Sequence, residues 1–98
     1  MQLEFRDSSL AQLAYEAEFD GGYDRAIVRA FRKRVQAIDA ARDERDLRAV
    51  KGNHFEKLKG DRSHQYSLRL NGQWRLIIEL QDREGHKACV LVAIEDYH

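Results

Sequence analysis

The chain has 98 residues, 17 Lys+Arg against 17 Asp+Glu for a formal net charge of +0, 43% hydrophobic residues and one Cys. That length is expected to make one domain, residues 1–98, burying roughly 60–65% of its unfolded surface, and the charge balance with ordinary apolar content excludes a disordered chain. A membrane span is excluded because the apolar runs, Ala88 to Ile94 and Leu76 to Ile78, fall far short of the ~20 residues it needs.

Leu3 and Phe5 alternate with Gln2, Glu4 and Arg6, which predicts a short first strand. Asp7, Ser8 and Ser9 offer a cap to a short helix through Leu10, Leu13 and Ala14, ending near Gly21-Gly22. A longer helix is predicted from Tyr23 to Arg45. Its apolar set is Tyr23, Ala26, Ile27, Ala30, Phe31, Val35, Ile38 and Ala41, at spacings of three and four. Arg25, Arg29, Arg32, Lys33 and Arg34 fall between these positions and read as a solvated face. The two helices should form a helical hairpin.

Residues 48–64 have no clean period and read as an ordered loop containing Gly52 and Gly60. The period then becomes two. Tyr66, Leu68 and Leu70 form one apolar set and Trp74, Leu76, Ile78 and Leu80 another, around Asn71-Gly72. A three-residue loop, Asn71-Gly72-Gln73, keeps both sets on one buried face, whereas a two-residue loop mixes arginines with core residues. The preferred register, expected to carry a glycine bulge, sets Arg69 directly opposite Arg75. Like charges across a ladder repel, and an anion between them would relieve the repulsion. The last strand, Ala88 to Asp96, is apolar on both faces, with Cys89, Leu91 and Ala93 on one and Val90, Val92 and Ile94 on the other. That pattern predicts a central strand.

The zero net charge is itself a sum of unlike segments: −4 over residues 1–22, +3 over 23–50, +4 over 51–76 and −3 over 77–98. The +4 segment holds Lys57, Lys59, Arg62, Arg69 and Arg75, with His54 and His64 beside them. The chain end, Asp96-Tyr97-His98, can be carried by the sheet to the Arg69/Arg75 face. Phosphate-binding glycine loops and metalloprotease helices are absent. Lone Cys89 sits in an apolar strand, where it reads as core and permits neither an internal disulfide nor a cysteine-based zinc site. Met1-Gln2-Leu3-Glu4 lacks the pattern of a secretory signal, so the cytoplasm is the expected location.

Four blocks carry a family resemblance: Leu58-Lys59-Gly60-Asp61-Arg62, Gln65-Tyr66-Ser67-Leu68-Arg69-Leu70-Asn71, Gln73-Trp74-Arg75, and Glu95-Asp96-Tyr97-His98. In order and spacing they resemble the HigB-type toxins of the RelE/ParE superfamily, found in bacterial type II toxin–antitoxin systems. The resemblance implies an α+β fold, an N-terminal helical hairpin packed on a twisted antiparallel sheet. It implies a ribosome-dependent mRNA endonuclease that uses no metal or cofactor. Lys59, Arg69, Arg75, Tyr97 and His98 fall at the family's cleavage positions, with Asp96 as a supporting carboxylate. His54, Lys57 and Arg62 are candidates for RNA binding. The implied partners are the ribosome and mRNA and a HigA-type helix-turn-helix antitoxin, with operator DNA reached only through the antitoxin complex and no membrane partner.

The chemistry is compatible with these residue types. Cleaving RNA through its own 2′-hydroxyl needs proton removal, proton donation and stabilisation of a dianionic phosphorane. Planar guanidinium groups fork onto phosphate oxygens, and His98 has the best intrinsic pKa for proton transfer. The sequence leaves open which group is base and which is acid. A rival reading of the same superfamily is a ParE-like gyrase inhibitor without RNase activity. Zero net charge favours specific contacts over long-range attraction to RNA.

Overall fold

A computed structural model describes residues 1–96. Its elements run β1 (Gln2–Phe5), α1 (Ser8–Tyr15), α2 (Arg25–Ala40), α3 (Glu44–Ala49), β2 (Glu56–Lys57), β3 (Gln65–Arg69), β4 (Trp74–Arg83) and β5 (His86–Asp96). One-turn 3₁₀ segments at Lys51–Asn53 and Gly60–Arg62 flank β2. The sheet order is β1-β5-β4-β3-β2.

Asp7 starts α1 as expected, its carboxylate accepting from the Leu10 N–H at 3.0 Å and from the Ser9 hydroxyl at 2.6 Å. The helix stops at Tyr15, earlier than the Gly21-Gly22 boundary suggested by sequence. Arg32 of α2 covers that end. Its guanidinium donates to the carbonyls of Leu13 and Glu16 at 2.9 and 2.8 Å and to Phe19 at 3.3 Å. Arg32 is therefore tethered to backbone and is no part of a solvated face.

The long helix predicted to Arg45 is interrupted at residues 41–43. Two aspartates compete for the backbone there: Asp46 accepts from the Arg42 N–H and Asp43 from the Arg45 N–H, each at 2.9 Å. Asp43 thereby caps α3. Within α2, Ile27, Val28, Phe31, Val35 and Ile38 are buried. Val28 joins the core although the predicted stripe omitted it, and Ala26 is exposed.

The helices cover one face of the sheet. Leu10 and Leu13 of α1 and Ile27, Phe31, Val35 and Ile38 of α2 pack with Leu68, Leu76, Ile78, Cys89 and Leu91. Each fully buried large side chain contributes about 1.5–3 kcal/mol of transfer free energy. Trp74 is half-buried against this cluster and meets Tyr23 edge to face at 6.1 Å.

The β3–β4 register matches the predicted one: Arg69 opposes Arg75, Leu68 opposes Leu76, and Tyr66 opposes Ile78. The glycine bulge expected in that hairpin is not the device that forms it. Gly72 is not among the glycines with positive φ. Instead Asn71 Oδ1 accepts from the Gln73 and Trp74 N–H groups at 2.8 Å each, an Asx turn that closes the loop. Left-handed geometry appears in the β4–β5 hairpin, where Glu84 (φ 50°) and Gly85 (φ 87°) form the two-residue connection between Arg83 and His86.

β5 lies centrally, antiparallel to β4 and parallel to β1. The expected antiparallel sheet therefore carries one parallel edge strand. Ile77 pairs with Ala93 but Ile78 pairs with Leu91, which leaves Val92 as the extra residue of a bulge. The bulge changes the predicted facing. Ile94, opposite Leu76, joins Cys89 and Leu91 on the helix side, while Ala93 and Glu95 join Val90 on the other. No helix among the described residues is long and apolar enough to cross a membrane.

Candidate functional site

The face of the sheet turned away from the helices carries Arg69 and Arg75, whereas Lys57 and Asp96 are register partners of Tyr66 and Trp74, which pack on the helix-side core. On β3 the alternation that sends Leu68 and Leu70 into the core sends Ser67 and Arg69 outward, and on β4 it sends Arg75 and Ile77 outward. Arg75 thus stands between two charged neighbours in register, Arg69 on β3 and Glu95 on β5. Leu70 N–H donates to the Trp74 carbonyl at 2.9 Å, marking that pair as hydrogen-bonded. The adjacent Arg69–Arg75 pair is then the non-hydrogen-bonded kind, in which Cα atoms approach to about 4.5 Å.

A cleft of about 180 Å³ opens beside Arg75, bordered by Leu58, Arg62, Ser67, Ile77, Glu95 and Asp96. Of the candidates, Arg62, Arg75 and Asp96 meet around it. Arg62 forms a bidentate pair with Glu95, at 3.0 and 2.9 Å, and its Nε donates to Gln65 Oε1 at 3.0 Å. This network extends outward. Gln65 donates to Glu79 at 3.0 Å, and Arg6 donates to the same carboxylate at 2.9 Å. Glu79 is held below its ordinary pKa by the Gln65 hydrogen bond and then by the Arg6 charge, partly opposed by burial. Arg62 orders the chain around the end of β5 while remaining half-exposed.

Asp96 is the register partner of Trp74, and its carboxylate accepts from Gln73 Nε2 at 3.1 Å. Lys57 is exposed on the two-residue edge strand β2, and Lys59 is exposed immediately before the Gly60–Arg62 turn. His54 takes a left-handed conformation (φ 43°, ψ 53°) at the end of the Lys51–Asn53 turn. Its backbone carbonyl meets the site by accepting from Arg75 Nη1 at 3.4 Å. Tyr97 and His98 lie outside the described residues.

The segment carrying His54, Lys57 and Lys59 is anchored from several directions. Buried Asn53 donates Nδ2 to the Leu47 carbonyl at 2.9 Å. Phe55 stacks on Tyr66 at 5.0 Å, and the Arg48 guanidinium lies 5.1 Å from the Phe55 centroid. Arg34 of α2 also reaches in, donating to the carbonyls of Arg69 at 2.9 Å and Gly52 at 3.3 Å. Burial, reinforced by the Arg69 charge, lowers the Arg34 pKa. Sequence reading assigned Arg34 to a solvated face and did not single out Glu95, Ser67, Leu58 or Ile77. Glu95 was readable only once the Val92 bulge had set its facing.

The arrangement presents the Arg75 guanidinium of β4 and the Arg62 guanidinium of the Gly60–Arg62 turn beside a small cleft, with Arg69 next to Arg75 on β3, and guanidinium groups suit phosphate oxygens. Among the described residues, no group of three His, Cys, Asp or Glu side chains is placed to hold a metal ion.

The fold is that of the RelE-like toxins. It superposes on a YoeB/ParE toxin from Agrobacterium tumefaciens with a TM-score of 0.63, covering all of both chains at 17% identity. A YoeB-YefM complex from Staphylococcus aureus matches with a TM-score of 0.61 at 18% identity, covering 100% of this chain and 97% of that one. The sequence narrows the class. Residues 3–98 match the HigB-like toxin family, described as RelE-like toxins of the type II toxin–antitoxin system HigB. Toxin HigB-1 of Vibrio cholerae is 37% identical over 82 residues, 84% of this chain and 86% of that protein. The chain belongs to the HigB-like toxin family, whose members are toxins paired with an antitoxin and, as a kind, ribonucleases.

Proposed function

We propose that residues 1–98 act as one cytoplasmic toxin domain that cleaves mRNA on the ribosome. In this reading a HigA-type helix-turn-helix antitoxin neutralises it, and operator DNA is reached only through that complex. The observation that carries the reading is the Arg69–Arg75 cross-strand pair, of which Arg75 borders the cleft. Two like charges on adjacent strands are unfavourable in isolation and become favourable around a phosphate.

In the proposed reaction the RNA 2′-hydroxyl oxygen attacks the adjacent phosphorus as its proton is removed. The bond from phosphorus to the 5′-oxygen breaks, and that oxygen takes up a proton, leaving a cyclic phosphate on the upstream fragment. Arg69 and Arg75 stabilise the charge that builds on the phosphorane oxygens. Lys59 supplies a further cation, and His98 and Tyr97 are the candidates for proton transfer and base stacking, with Asp96 in support. His54, Lys57 and Arg62 hold the RNA strand alongside. Arg62 does so from within its pair with Glu95.

Induction of the chain without antitoxin tests this. Translation should stop with cut mRNA, and Arg75→Ala should abolish the arrest while leaving the fold intact. DNA breaks and an SOS response preceding any loss of translation would assign the chain to gyrase inhibition instead.

A further inference from the structure

Arg32 and Arg34 sit two residues apart on α2 and do different jobs. Arg32 closes the end of α1 through the carbonyls of Leu13, Glu16 and Phe19. Arg34, about 200° further round the helix, reaches the other side and ties together two pieces of the candidate site. One is the carbonyl of Arg69 itself and the other is the carbonyl of Gly52. Gly52 is two residues from His54, whose carbonyl receives Arg75 Nη1. The contacts close a circuit. Arg34 holds the backbone of Arg69, Arg69 faces Arg75 across the ladder, Arg75 holds His54, and the turn before His54 returns to Arg34.

We propose that Arg34 is a positioning residue for RNA cleavage, fixing the turn that carries His54, Lys57 and Lys59 against the Arg69–Arg75 pair. The inference rests on the reading of that pair as the cleavage site. A guanidinium suits the task because its fixed fork can serve two carbonyls on separate segments at once, which a lysine ammonium on a flexible stem does not reproduce. The arrangement is retained although the side chain is half-buried beside another cation. The turn has other anchors, in Asn53 to Leu47 and Phe55 on Tyr66. Losing Arg34 should therefore displace it without unfolding the chain.

The test compares Arg34→Met, Arg34→Lys and Arg32→Met in the full-length chain, using single-codon cleavage on programmed ribosomes and hydrogen exchange of the amides of residues 52–58. Arg34→Met should lower kcat on the order of 10- to 100-fold, as expected for a misplaced catalytic group, and raise KM because the same turn carries His54 and Lys57, which hold the RNA. It should also speed exchange across residues 52–58, and Arg34→Lys should recover part of both. Arg32→Met should lower the melting temperature but keep wild-type kcat and wild-type exchange over 52–58. Wild-type kcat per folded molecule in Arg34→Met overturns the proposal. Unchanged exchange in that variant overturns it as well, whether or not the wild type cuts RNA. A wild type that cuts no RNA, with exchange faster in Arg34→Met, leaves a structural tether only and overturns the catalytic role.

Discussion

Arg69 and Arg75 are direct cross-strand partners on the face of the sheet turned away from the helices. That placement has an energetic signature separate from catalysis. Removing the Arg69 cation should leave stability unchanged or raise it by about 0.2–1 kcal/mol, because a like-charge pair is relieved, whereas Arg75 also donates to the His54 carbonyl and faces Glu95, so its loss should bring no such gain. Cleavage should fall on the order of 10²–10³-fold if the lost guanidinium stabilised the phosphorane. Thermal melts and ribosome-dependent cleavage by Arg69→Gln and Arg75→Gln check both signs together. Activity lost only in proportion to stability would contradict the assignment.

The β3–β4 turn depends on Asn71 more than on Gly72. Asn71→Ala removes two acceptor contacts, at 2.8 Å each, and should cost about 1–2 kcal/mol. Gly72→Ala should be stabilising by about 0.4–1 kcal/mol, since its φ is not positive and alanine restricts the unfolded chain. The new methyl would meet Arg69 Nη2 at 3.8 Å, an ordinary contact. Chemical denaturation of the two variants separates an Asx turn from a glycine-dependent one.

Stability should fall on the acid side. The Arg45 hydrogen bond, with the Arg45 N–H, holds Asp43 at about 2, against an ordinary 3.8. Hydrogen bonds from Arg42 lower Asp46, two from Arg83 lower Glu4, and one from Gln65 lowers Glu79. Each carboxylate has a folded pKa below its unfolded one. Its contribution is therefore complete above the ordinary range and lost as pH falls through the folded value. Melting temperature should hold between pH 7 and about 5 and decline below about 4.5, with a shallower decline in Asp43→Asn. Added salt should flatten the same limb because these pairs lie near the surface.

Cys89 should be inert in the folded chain. It is fully buried in β5, and burial pushes its thiol up to about 12. Since the thiolate is the reactive form, a disulfide reagent at pH 8 should titrate essentially no thiol in the native state and one after unfolding. Rapid labelling of the native chain would show that β5 opens.

Much of this architecture was legible in the sequence. The period-two sets around Asn71-Gly72 dictated the Arg69–Arg75 register, because any one-residue slip buries charge. The apolar run from Ala88 marked a central strand. The features that escaped are polar side chains that compete for backbone groups and one irregularity in strand pairing. Asp43 and Asp46 break the long helix, and Val92 bulges from β5 and re-aims Glu95. Arg32 and Arg34 donate to carbonyls distant in sequence, which spacing along one helix does not encode. The cationic cluster was visible as a +4 segment over residues 51–76, but its pairing of Arg62 with Glu95 depends on contacts 33 residues apart.

On the proposed function, the Arg69–Arg75 face cuts mRNA as it is being translated. Mapping mRNA 5′ ends by sequencing, minutes after induction of the wild type and of Arg75→Ala, tests it most directly. New ends should appear inside translated codons, in frame, for the wild type and not for Arg75→Ala. Ends spread equally over untranslated RNA, or an identical pattern in the variant, would contradict it.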